Sequence, residues 1–194
     1  MGTYRLSMRD RSRSLIVALV CLSMWAADAS GDELSRDLGR YGVGRPATEK
    51  EIQDWNIDVA PTGEGLPPGR GTVKRGAQIF AGACAQCHGL SGVEGPGPSL
   101  VGGRNTLRTA HPIKTIGSYW PYATTLYDYV YRAMPFSAPQ SLTPDEVYSV
   151  VAWLLHRNGI IDEDSVMDAR SLPAVRMPNR DGFIPDQRPE GPVQ

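Results

Sequence analysis

The residues with the clearest chemistry in this sequence are Cys84, Cys87 and His88, in the pentapeptide Cys84-Ala85-Gln86-Cys87-His88. Two cysteines separated by two residues and followed at once by a histidine are the arrangement that c-type haem attachment requires. The thiols can form thioether bonds with the two vinyl groups of the porphyrin, and the imidazole can ligate the iron from one face of the ring. The motif therefore predicts one covalently attached haem c.

Other uses of closely spaced cysteines fit this chain less well. A zinc site or an iron–sulfur cluster takes about four ligands from Cys or His, but the chain has three cysteines, and Cys21 lies in the export signal described below. A thioredoxin-like dithiol needs only the Cys-x-x-Cys spacing. It would not need His88, and no βαβ pattern surrounds the motif. Haem attachment is the interpretation that uses all three residues of the motif.

Residues 1–29 have the three parts of a secretory signal peptide. Four arginines precede an apolar run from Leu15 to Ala27, and small residues follow, with cleavage expected near Ala29. The apolar run is shorter than the roughly 20 residues that a membrane-spanning helix needs, and no later segment comes close. We therefore expect an exported, periplasmic protein without a membrane span, from which Cys21 is removed with the signal.

The mature chain is expected to be slightly acidic, because 16 basic and 19 acidic residues remain once the signal is removed. This balance gives no reason to expect nucleic acid or an anionic membrane as a partner. Both remaining cysteines are committed to haem, so stability must come from core packing and from the buried porphyrin. The 16 prolines and 21 glycines of the chain indicate much irregular backbone.

An N-terminal extension is predicted for residues 30–71. Residues 31–43 show no sustained periodicity and are expected to be extended or poorly ordered. Thr48 and Glu51 form a capping box, which predicts a short helix over residues 49–55. The proline- and glycine-rich stretch that follows predicts a loop leading into the haem domain.

Residues 72–160 are predicted to be an all-α haem domain of the helical, haem-enclosing kind. Helical periodicity predicts three helices there, over residues 73–83, over residues 124–132, and from the capping box of Thr143 and Glu146 to Asn158. The last helix is expected to pack on the first, where Gly76 permits a close approach. Residues 161–194 are predicted to be an irregular C-terminal extension, lying on the surface as an arm or binding a partner.

Two loops of the haem domain contain candidates for contacts with the haem. A ligating imidazole needs a partner for its other ring N–H, and a prolyl carbonyl after His88, in particular that of Pro98, can serve. An ordinary turn is the alternative there. Tyr119, Trp120 and Tyr122 can donate hydrogen bonds to the haem propionates, which are costly charges to bury, or can simply belong to the core.

Met134 is predicted to be the sixth iron ligand. Pro135 favours an extended conformation for Met134, from which the thioether can point inward, and a soft sulfur ligand stabilises ferrous iron and raises the reduction potential. Met134 also lies far enough beyond His88 for its loop to cross to the opposite haem face. Methionine is more often core filler than ligand. The other candidates are Met177, Met167, His111 and His156.

The motifs resemble those of class I cytochrome c, which combine a helix, Cys-x-x-Cys-His, a Gly-Pro-x-Leu loop, a Met-Pro loop and a terminal helix. More narrowly, the chain resembles the cytochrome subunit of Sox-type sulfur (sulfane) and sulfite dehydrogenases. This resemblance covers most of the mature chain. It is carried by residues 44–48, 55–59, 117–135, 141–148 and 175–179.

The resemblance implies a partner and a function. In that family the cytochrome pairs with a molybdenum-containing subunit that oxidises sulfite or a sulfane sulfur, and electrons leave singly through the haem to a downstream soluble cytochrome c. Carried over by motif, it implies haem attachment at Cys84 and Cys87 and ligation by His88 and Met134. Some family members carry two haems, whereas this chain has a single attachment motif. The resemblance therefore implies a one-haem subunit that is not an enzyme on its own, and leaves its partner's substrate open.

Two other functions remain open at this point. One is a free-standing periplasmic electron shuttle that serves another dehydrogenase or a terminal oxidase. The other is an enzyme, such as a peroxidase, or a gas-binding haem protein with an open sixth position. The latter requires that Met134 does not ligate the iron.

Overall fold

The computed structural model describes residues 44–184. The predicted signal peptide, the predicted arm at residues 31–43 and the last ten residues lie outside this range. The chain divides into two compact units at the peptide bond between Trp55 and Asn56. Among the helices that the structure describes, none has both the length and the apolar content to cross a membrane.

In the first unit, the described residues form a short helix, α1 (Glu49–Trp55). The predicted capping box is confirmed, because the Thr48 backbone N–H donates to Glu51 Oε2 at 2.8 Å and the Glu51 N–H donates to Thr48 Oγ1 at 3.3 Å. Arg45 Nη1 donates to the same carboxylate at 2.8 Å. The hydrogen bond from Arg45, with those from Thr48, lowers the pKa of Glu51 to about 2. Local contacts between these residues therefore define the start of α1.

The second unit is mainly helical, as predicted. Its described elements are β1 (Arg70–Thr72), α2 (Val73–Ala83), α3 (Ala85–His88), α4 (Ala123–Ala133), α5 (Pro144–Arg157), β2 (Val166–Asp168) and α6 (Ser171–Ala174). The side chain of Thr72 caps α2, and the predicted capping box of Thr143 and Glu146 begins α5. The sequence-predicted helices therefore agree with the structure to within about a residue at each end.

The two longest helices cross at Gly76, as the sequence predicted. A Cβ atom at Gly76 of α2 would overlap the backbone carbonyl of Ser149 in α5. One turn further along α2, the ring of Phe80 lies 4.0 Å from the ring of Trp153, measured between centroids. Because glycine lacks a side chain, the two backbones come close enough for these rings to stack. The crossing fixes one wall of the site described below.

A short sheet, which the sequence analysis did not predict, accompanies the helices of the second unit. β1 pairs antiparallel with β2, with Gly71 opposite Met167. Each strand has three residues. Such a ladder has no detectable period in the sequence, because period-two alternation needs about four residues or more to be recognised.

The described part of the C-terminal extension is anchored in the core, which corrects the expectation of an arm on the surface. Met167, Leu172 and Met177 are at most 5% exposed and belong to the hydrophobic core. These three residues are spaced five positions apart, which matches neither the helical nor the strand period. The segment packs through these three isolated side chains, with turns between them. A search for helical or strand periodicity cannot detect such a pattern. The second unit thus includes residues before and after the predicted haem domain of residues 72–160.

Candidate functional site

A cavity of about 650 Å³ opens between α2, α3, α4 and α5. This volume falls within the range of about 300–1,000 Å³ that is typical of cofactor and small-molecule sites. The cavity walls are mostly apolar and include Phe80, Ile116, Leu126, Val130, Val150 and Leu154. Walls of this kind exclude water and suit a large, flat, apolar ligand.

The three residues of the attachment motif line this cavity together. Cys84 ends α2 and precedes α3, and its carbonyl accepts hydrogen bonds from the N–H groups of Cys87 at 3.1 Å and His88 at 3.0 Å. This single helical turn brings both thiols and the imidazole to one side of the cavity. No disulfide joins the two cysteines, of which Cys84 is partly buried and Cys87 exposed. Burial, with a smaller contribution from Cys87, raises the pKa of Cys84 to about 11.

The ring of His88 is oriented by a backbone carbonyl. His88 Nδ1 lies 2.8 Å from the carbonyl oxygen of Pro98, the contact expected from the sequence. Because a carbonyl only accepts, Nδ1 carries the proton and Nε2 is left as the nitrogen with a free lone pair. The loop is held in place by the Gly97 N–H, which donates to Cys87 O at 2.6 Å. A Cβ at Gly95 would overlap that carbonyl, which explains the need for glycine here.

Met134 lines the same cavity as His88. It follows the last residue of α4, with φ −124° and ψ 147°, which is the extended conformation that Pro135 was expected to impose. Its side chain is partly buried against the core. Within the described residues, the other proposed ligands do not line this cavity: Met167, Met177, His111 and His156. Met167 and Met177 are instead buried in the core, and His156 Nδ1 lies 3.2 Å from a backbone carbonyl.

Of the three aromatic residues predicted to contact the haem, one lines the cavity and two do not. Trp120 lines the cavity, and its ring meets the ring of Tyr129 edge-on at 5.7 Å between centroids. Tyr122 does not line the cavity, which corrects its prediction as a haem-contacting residue. The Tyr122 ring lies under the guanidinium of Arg180 at 4.2 Å. Tyr119 also lies outside the lining and packs against Phe183 at 5.2 Å.

Several lining residues were not among the sequence-predicted site residues, and Tyr129 and Lys114 are two polar examples. Tyr129 lies three positions after Leu126 on α4, so the helical period could have placed it on the cavity face. Lys114 lies in an irregular loop with no period, and no sequence signal marks it.

These residues fit a haem c by their chemistry. The cavity presents two thiols, one imidazole whose Nε2 is free, one thioether and apolar walls, and this donor set matches an iron porphyrin with thioether attachment. Within the described residues, no group of three or more His, Cys, Asp or Glu side chains forms an alternative metal site.

Two comparisons with known proteins show the family of this chain. The family model described as cytochrome C oxidase, cbb3-type, subunit III matches residues 71–154, the range that contains every lining residue named above. The chain is also similar to a chain in the crystal structure of the sulfane dehydrogenase SoxCD from Paracoccus pantotrophus, with 45% identity and a TM-score of 0.71. The match covers 76% of this chain and 73% of that chain. This chain belongs to the Sox-type class I cytochromes c. No curated protein gives a significant match.

As a class I cytochrome c, the chain is an electron-transfer haem protein with haem c as its cofactor. The described part of the chain is mainly helical, with one short β1–β2 ladder, and this is consistent with the fold of the class.

Proposed function

We propose that this cytochrome is the periplasmic, one-haem electron-transfer subunit of a molybdenum-containing sulfite or sulfane (sulfur) dehydrogenase. It accepts electrons singly from the catalytic subunit and passes them to a downstream cytochrome c. The observation that carries this proposal is the 45% identity to a chain of SoxCD over about three quarters of both chains. The single Cys-x-x-Cys-His motif, in a cavity with Met134, supports a single haem.

The residues of the cavity have separate roles in this proposal. Cys84 and Cys87 would hold the porphyrin by thioether bonds, and His88 would ligate the iron through Nε2. Pro98 orients His88, and Met134 would supply the second iron ligand from the protein. When bound, haem c supplies one-electron chemistry at its iron.

The cavity walls control what can reach the site. Apolar side chains exclude water, and Met134, as an iron ligand, would leave no open position for small reactants. Trp120 lines the cavity and could donate its indole N–H to a propionate. This arrangement favours electron transfer over peroxidase chemistry or gas binding, because those functions need an open iron position.

Export directed by residues 1–29, as proposed from the sequence, is consistent with haem attachment at both cysteines. In a periplasm, two free thiols would tend to form a disulfide, whereas thioether attachment consumes both. With Cys21 removed, Cys84 and Cys87 are the two cysteines that remain in the mature chain. No further thiol is then left to compete for them.

The proposal is tested with the full chain, including its signal, in a bacterial host that attaches haem c. The exported protein is mixed with periplasmic extract from its native cell, and any complex is isolated and analysed for molybdenum. Sulfite, or in a second sample a protein-bound persulfide, is then added without oxygen while haem reduction is followed by absorption. We expect association and reduction by one of the two substrates. A Cys87→Ala variant is the control for attachment.

Two results would contradict the proposal in different ways. Pigment that leaves the denatured protein in acidified solvent would show that haem is not attached covalently. A covalent haem protein that neither binds a molybdenum subunit nor is reduced by it would instead be a free-standing electron shuttle.

A further inference from the structure

Lys114 is the feature of the cavity that the proposed function leaves unused. Among the lining residues of the described chain, Lys114 is the one side chain of the Asp, Glu, Lys and Arg class. Haem c carries two carboxylates, and carboxylates are costly to place against apolar walls unless a cation or a donor compensates them. Trp120 and Tyr129 offer neutral donors, so Lys114 alone can supply a compensating charge from within the lining.

The backbone at Lys114 is fixed by the turn that follows it. The Thr115 N–H donates to Ser118 Oγ at 2.9 Å, and Thr115 Oγ1 donates to the Gly102 carbonyl at 2.5 Å. Thr115 and Ser118 are both buried. The main chain of this lysine is therefore held in place although its side chain is exposed.

The side chain of Lys114 has a contact partner, the ring of Tyr119. Its Nζ lies 5.1 Å from the centroid of the Tyr119 ring, within the distance of a cation–π contact. Tyr119 is in turn held by the C-terminal segment, defined here as residues 177–184. Asn179 Nδ2 donates to the Tyr119 carbonyl at 2.8 Å, and the Phe183 ring meets the Tyr119 ring edge-on at 5.2 Å. The C-terminal segment thus supports the surface on which the ammonium rests.

We propose that Lys114 is the cation that pairs with the carboxylates of haem c and raises the reduction potential of this cytochrome. Tyr119, supported by the C-terminal segment, is a positioning residue for Lys114. A positive charge beside the cofactor disfavours the ferric state, which carries one more positive charge than the ferrous state. The inference rests on the haem binding in the proposed function but not on the molybdenum partner.

The test is the reduction potential of the purified holo-cytochrome, measured by spectroelectrochemical titration without any partner. Lys114→Gln is expected to shift the ferrous–ferric equilibrium toward ferric by about tenfold, which corresponds to about 59 mV for one electron. Lys114→Arg keeps the charge and is expected to retain the wild-type potential. Arg108→Gln removes the same charge from the same loop at an exposed residue that does not line the cavity. Its shift is expected to be several times smaller.

Two further variants test the positioning role. Tyr119→Leu and Phe183→Ala are expected to give part of the Lys114→Gln shift, and to add little in the Lys114→Gln background. If Lys114→Gln shifts the potential no more than Arg108→Gln does, the counter-ion role is wrong. If Tyr119→Leu gives its full shift without Lys114, the positioning role is wrong. Because the measurement uses no partner, failure to bind a molybdenum subunit would leave these results unchanged.

Discussion

Gly76 of α2 lies so close to Ser149 of α5 that a Cβ atom at position 76 would overlap the Ser149 carbonyl oxygen and approach Trp153 Cβ to 2.7 Å. The same crossing stacks Phe80 on Trp153, and Phe80 lines the cavity. The close approach of these two helices therefore helps to shape one wall of the cavity.

Gly76→Ala should destabilise the cytochrome by about 3 kcal/mol, because the added methyl group must push two backbones apart. Urea denaturation of the holo-protein measures the loss. Gly82→Ala is the matched control on the same helix, since a Cβ there meets no atom within 4 Å. It should be neutral or stabilising by about 0.5–1 kcal/mol. Equal effects of the two substitutions would contradict the close approach.

Met134→Leu should remove the absorption band that a sulfur ligand gives to oxidised haem c, while keeping the volume of the side chain. The potential should fall by more than the tenfold change in equilibrium, about 59 mV, expected for Lys114→Gln. The matched control is Met177→Leu, a buried methionine that also precedes a proline but lies outside the cavity lining. It should retain both the band and the potential. The reverse result would assign the ligand to Met177.

Tyr127→Phe should stabilise the cytochrome by about 1 kcal/mol. The Tyr127 hydroxyl is buried, and no hydrogen-bond partner for it occurs within the described residues. Burial raises the pKa of Tyr127 well above its ordinary value, so the group stays neutral. Tyr148→Phe is the matched comparison, because the Tyr148 hydroxyl donates to the Pro67 carbonyl at 2.9 Å. That substitution should cost about 1 kcal/mol in the same denaturation experiment.

The capping box of α5 should make stability fall in acid. Hydrogen bonds from the Thr143 backbone and side chain lower the pKa of Glu146 in the folded state. Its contribution is therefore fully present above the ordinary glutamate pKa and is lost as the pH falls through the lowered folded value. In Glu146→Gln, denaturation midpoints measured across the acid range should depend less on pH. Glu163→Gln, at an exposed turn residue, is the control that should leave the wild-type slope.

The features that the sequence predicted well depend on neighbours in the chain. Helix starts are set by capping residues three positions apart, as at Thr143 and Glu146. The extended conformation of Met134 follows from the proline after it. The His88–Pro98 contact also spans only ten residues. Local chemistry was sufficient in each case.

What the sequence could not predict depends on distant partners. β1 and β2 are separated by almost the whole haem domain, and their pairing leaves no local signal. Met177 is buried because of what surrounds it in space, although its own surroundings in the sequence are polar and proline-rich. The ring of Tyr122 lies under Arg180 rather than at the cavity, since a residue nearly 60 positions later reaches it. Lys114 was not predicted for a different reason, because its loop has no periodicity that would place it on the cavity.

The burial of Met177 has a consequence for truncation. This side chain is 1% exposed and belongs to the same core cluster as Phe80 and Val150, which line the cavity. A version of the chain cut before Met177 would lack part of the core behind that cavity wall. Shortened or fused versions of the cytochrome should therefore keep the sequence intact through Met177.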